Sequence, residues 1–86
     1  MTLSSRQRDQ LITILQQLLP GHAIEQWTEQ TGLIGDIPEF DSMMLTNLLT
    51  SIEDVYGVDI DESELSMDDF VDWGSLQRLT ARLVHQ

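Results

Sequence analysis

Eighty-six residues and 9.8 kDa make one small domain spanning the chain, too little for a multidomain enzyme with its own substrate cleft. A hydrophobic share of 41% supplies one compact core, with an expected radius of gyration of roughly 12 Å. Four arginines, no lysine and fifteen Asp plus Glu give a net charge of −11, which opposes nucleic acid and anionic lipid, and the lack of cysteine removes disulfides, thiolate metal sites and thiol nucleophiles together.

Ser4 or Ser5 caps a first predicted helix in which Leu11, Ile14, Leu15 and Leu18 keep the i, i+3, i+4, i+7 spacing, widened by Ile12 and Leu19. Pro20 and Gly21 end it. No apolar run approaches the roughly 18 residues of a membrane span, and Leu11 to Leu19 is broken by Thr13, Gln16 and Gln17. A soluble, cytoplasmic protein is expected. From Gly21 to Asp41 the pattern is irregular, with one turn of helix expected around Ala23 to Thr28 and Gly32, Gly35 and Pro38 as punctuation. So long a connection needs its own packing, for which Ile24, Trp27, Leu33, Ile34, Ile37 and Phe40 are available.

The strongest helical pattern runs from Asp41-Ser42 to Tyr56, with Leu45, Leu48, Leu49, Ile52, Val55 and Tyr56 on one face and Gly57 as its stop. Val58 and Ile60 alternate with Asp59 and Asp61, but a lone short strand has no partner, so this segment reads as loop. Ser66 caps a short helix from about Met67 to Trp73, and Gly74-Ser75 restart the chain into a last helix whose Leu76, Leu79, Leu83 and Val84 face inward. The fold class is therefore all-α, a small four-helix bundle of three longer helices and one short one with a long first loop.

The charge is unevenly placed. The arginines stand at positions 6, 8, 78 and 82, and twelve of the fifteen acids fall between Asp36 and Asp72, a one-signed middle that suits a basic partner. Serine hydrolysis fails as a chemistry: Glu39-Phe40-Asp41-Ser42-Met43-Met44 lacks flanking glycines and a preceding strand, and the two histidines, His22 and His85, read as surface residues. A calcium loop fails as well. Asp59, Asp61 and Ser63 fit its first positions, but Glu64 stands where glycine is needed and Phe70 where a bidentate carboxylate is required. No metal site is expected.

What remains is Ser42, at the entry of the most amphipathic helix. Unpaired amides and the positive end of the helix dipole favour a phosphate there. Asp41-Ser42-Met43, followed by apolar residues at 45, 48, 49, 52 and 55, Gly57, an acidic linker, a short helix and a final helix, resembles the acyl carrier proteins over essentially the whole chain. The resemblance implies that Ser42 is the attachment residue for 4′-phosphopantetheine, with Asp41 as the flanking motif residue. A separate phosphopantetheinyl transferase would transfer the group from coenzyme A with magnesium. It also implies a carrier and not an enzyme, the imported arm supplying the thiol that the chain lacks.

Family partners are acyl-loading and acyl-transferring enzymes with basic docking patches. In the family, acids along the helix after the serine usually meet them, but here that helix starts Met43, Met44, Leu45, Thr46, Asn47 and carries acids only at Glu53 and Asp54. Partner contact is therefore expected from Met43 and Met44, with Glu39, Asp41, Glu53 and Asp54 as an acidic rim. Trp27 and Trp73 read as core or loop anchors, and Trp73 would narrow any space for cargo between the second and last helices. A monomer is expected. The alternatives are an aminoacyl or peptidyl carrier, and a non-carrier acidic helical adaptor.

Overall fold

The computed structural model describes residues 2–85. Its elements are α1 (Ser5–Leu18), α2 (Ser42–Tyr56) and α3 (Trp73–Val84), with 3-10 turns at Ile24–Gln26, Glu62–Glu64 and Met67–Phe70. The Cα radius of gyration is 11.8 Å, close to the expected globule.

Each helix starts where a side chain takes over its free amides. Ser4 forms a reciprocal capping box with Gln7: its hydroxyl accepts from the Gln7 amide at 3.2 Å, and the Gln7 side chain accepts from the Ser4 amide at 2.9 Å. Asp41 caps α2 and Asp72 caps α3. The α1 ladder ends at Leu19, before Pro20 and a Gly21 with φ of 97°. Gly57, at φ 66°, takes the left-handed conformation that closes α2.

Leu11, Ile14 and Leu15 of α1, Leu48, Leu49 and Ile52 of α2, and Trp73, Leu76, Leu79 and Leu83 of α3 form one buried cluster with Ile24, Leu33, Ile37 and Phe40 of the first connection. The long loop is thus part of the core. Its middle lies antiparallel against the start of α3: Leu33 and Ile34 donate amides to the carbonyls of Val71 and Phe70, while Trp73 and Gly74 donate to those of Thr31 and Glu29, at 2.9 to 3.2 Å. Trp27 meets Trp73 edge to face, with centroids 5.6 Å apart.

Two expectations need correction. The chain breaks before Trp73 and not at Gly74-Ser75: the short helix is a 3-10 turn ending at Phe70, and the Asp72 carboxylate accepts from the Ser75 amide at 2.7 Å. Gly74 lies inside the first turn of α3, where a Cβ would sit 3.0 Å from the Glu29 carbonyl oxygen, so its smallness serves a close approach. Val55 does not share the buried face of α2 and is 44% exposed. The opposing turns of α1 offer the polar Arg6, Asp9 and Gln10, which leave an open groove of about 530 Å³ beside it. Its neighbour Tyr56 turns inward and donates its hydroxyl to the Gln7 carbonyl at 2.6 Å.

Candidate functional site

The buried Ile37 and Phe40 carry the first connection up to α2. Asp41 is then extended, and its carboxylate accepts from the Met44 amide at 2.8 Å while its carbonyl accepts from the Leu45 amide at 3.0 Å. The amides of Ser42 and Met43 have no acceptor among the described residues, and neither has the Ser42 hydroxyl a hydrogen-bond partner there. Ser42 is exposed. Its carbonyl accepts from the Thr46 hydroxyl at 3.0 Å.

This arrangement holds an exposed hydroxyl beside two free amides at the positive end of a 15-residue helix. From Ser42 to Ser51 the helix carries no ionisable side chain, so α2 itself sets no like charge against a phosphate ester on the Ser42 oxygen, and the carboxylate at its head is that of the cap Asp41. Among the described residues, no histidine is hydrogen-bonded to the Ser42 hydroxyl as a base. The His22 ring is bonded to Glu39 at 3.0 Å, and His85 follows the end of α3. The hydroxyl can receive a group, but activation must come from outside the chain.

The acidic segment after α2 gathers no group of three or more His, Asp or Glu side chains suited to a metal, among the described residues. Asp61, which with Asp59 and Ser63 fits the first positions of a calcium loop, accepts from the Ser63 hydroxyl at 2.6 Å and the Ser63 amide at 3.0 Å. Those two hydrogen bonds hold its carboxyl below the ordinary value.

The residues expected to meet partners are not gathered into one patch. Met43 is 74% exposed next to Ser42, whereas Met44 is half-buried against the core. Glu39 is exposed, and its carboxyl is held low chiefly by the hydrogen bond from His22. Glu53 is half-buried and accepts from the Ile60 amide at 2.9 Å, so it anchors the loop after α2. Asp54 is exposed, but it lies about 18 Å along the helix axis from Ser42. Met67 and Val71 are exposed apolar residues that the sequence reading missed, at 60% and 47%.

A family model described as a phosphopantetheine attachment site matches residues 9–83. The chain is also similar to the solution structure of a holo acyl carrier protein from Nitrosomonas europaea, with 33% identity and a TM-score of 0.69 over 84% of this chain and 87% of that one. No curated protein sequence matches.

Proposed function

The chain belongs to the acyl carrier proteins, the family defined by its phosphopantetheine attachment site, and on that premise we propose that Ser42 bears the arm and that the cargo is an acyl group held as a thioester. Members of the family carry a covalently attached 4′-phosphopantetheine, act as carriers and not as enzymes, and interact with phosphopantetheinyl transferases and acyl-handling enzymes. The observation that carries the assignment to Ser42 is the free hydroxyl beside the unpaired amides of Ser42 and Met43.

When bound, the arm supplies the thiol on which a thioester forms, in a chain without cysteine. The Ser42 oxygen would form a phosphodiester to the phosphopantetheine phosphorus as the pyrophosphate bond of coenzyme A breaks, with adenosine 3′,5′-bisphosphate leaving and the hydroxyl proton passing to the transferase, and the first-turn amides face the negative charge brought to Ser42. Asp41 caps Met44 and so keeps the first turn of α2 wound while a transferase grips it. Met43, exposed and flexible, and the acidic Glu39, Asp41 and Asp54 are the surface we assign to basic partners, with Met44 and Glu53 acting mainly from within the fold. The acyl assignment is supported by the −11 charge and by the likeness to an acyl carrier.

Intact-mass spectrometry tests this. Apo protein incubated with coenzyme A, magnesium and a broad-specificity phosphopantetheinyl transferase is expected to gain one phosphopantetheine, and Ser42→Ala to gain none. A wild-type mass that never moves with several transferases overturns the assignment, and mass spectrometry of protein from its native cell identifies the cargo.

A further inference from the structure

We infer that His22 is a pH-dependent counter-charge for Glu39, setting how much negative charge the chain presents beside Ser42. The two residues close the ends of the first connection on each other, with His22 Nε2 and Glu39 Oε2 3.0 Å apart. Each is held by its backbone. The His22 amide donates to the Leu19 carbonyl at the end of α1, and the Glu39 carbonyl accepts from the Asp41 amide at 2.9 Å, one residue before Ser42. The side chains are 31% and 50% exposed, so the pair is open to both protons and partners.

Among the described residues, Glu39 is the carboxylate paired with His22. Glu25 accepts from the Gln16 side chain at 3.1 Å, Asp41 from the Met44 amide, and the Asp36 carboxylate lies against Gly32. The last turn of α1 and residues 42–50 of α2 carry no ionisable side chain. Histidine changes charge between about pH 5 and 8. With the ring neutral, Glu39 keeps its full charge, and with the ring protonated the pair sums to zero. One unit of charge three residues from Ser42 therefore follows pH, and a rim charge acts mainly on the encounter with a basic partner. The choice of a transferase as that partner rests on the carrier reading.

Two measurements test the inference. In a pH titration of the apo protein followed by NMR, the Glu39 carboxylate carbon and the amides of Phe40 to Ser42 are expected to move with the same midpoint as the His22 ring. His22→Gln, which keeps a hydrogen-bond donor, is expected to flatten them in that range. In kinetics with a phosphopantetheinyl transferase, the ratio of wild-type to His22→Gln kcat/KM is expected to fall about two- to threefold between pH 8 and roughly 5.5; taking the ratio cancels the transferase's own pH dependence. A His22 ring that titrates without moving Glu39 and its neighbours, or a flat ratio, overturns the inference. Absence of any modification at every pH would instead overturn the carrier reading, and the NMR titration then decides alone.

Discussion

Asp41 carries two roles that substitution can separate. It stands in the motif before the attachment serine, and its carboxylate accepts from the Met44 amide. Asp41→Ala is expected to cost about 1 kcal/mol through the lost cap, read as a drop of roughly 4–8 °C in thermal midpoint for a domain of this size. Asp41→Asn keeps a capping oxygen and is expected to melt near wild type, so any remaining loss of modification by the transferase measures recognition of the charge. Tyr56 is the one tyrosine of the chain, and burial pushes its phenol up to about 12. A folded state that favours the protonated phenol contributes stability fully below the unfolded value of 10.0 and loses it as pH rises toward 12. Phenolate absorbance is therefore expected to titrate near 12 in the native protein and near 10 in denaturant, and Tyr56→Phe to weaken the alkaline fall in stability.

Among the elements, α3 is the one whose start depends on its surroundings. Asp72 is paired across to Gly32 in an isolated antiparallel bridge, and the Glu29 carbonyl both accepts the Gly74 amide and sits where a side chain at 74 would go. Alanine usually favours a helix interior over glycine by about 1 kcal/mol. Here Gly74→Ala is expected to destabilise by about 1–2 kcal/mol in a denaturant titration, because the Glu29 carbonyl must give way and the hydrogen bond it accepts from the Gly74 amide with it. A stabilised Gly74→Ala would show that residues 29–34 dock more loosely than this geometry requires. The Arg82–Asp69 pair, at 2.8 Å, ties the Met67–Phe70 turn to α3. Partial burial pushes the Asp69 carboxyl up, yet the Arg82 guanidinium and the Ser66 amide outweigh it and hold it low. With Arg82 more than half exposed, Arg82→Ala is expected to cost under about 1 kcal/mol.

At the scale of the whole molecule, a net charge of −11 opposes the compaction that the core drives. Raising sodium chloride from about 0.01 to 0.5 M shortens the screening length from about 30 Å to under 10 Å, so the thermal midpoint is expected to rise by several degrees. Acid acts in two opposing ways. Protonation relieves the general repulsion, but Glu39, Asp61, Asp69 and Asp72 are held low in the folded state by hydrogen bonds. Their contribution is complete above the unfolded carboxylate range and is lost as pH falls through the folded values, below about pH 4. Thermal melts across pH at high salt, where repulsion is screened, are expected to isolate that acid loss.

The helices were legible because their determinants are local. The Ser4 and Asp41 caps, the apolar spacings of α1 and α2, Pro20 and Gly57 act within a few residues of one another, so the three long helices and the place of Ser42 at the head of α2 follow from the sequence alone. The start of α3, the inward hydrogen bond of Glu53, the exposure of Val55 and the pairing of His22 with Glu39 do not. Three are decided by a segment distant in the chain, namely residues 29–34 against 70–74, the polar turns of α1 against α2, and one end of the long connection against the other, while Glu53 is decided by how the loop after Gly57 folds back to bring the Ile60 amide to it. Local propensity and capping set where α1 and α2 begin. Which residues of a helix meet solvent, and which charges are already answered within the fold, depends on what packs against it.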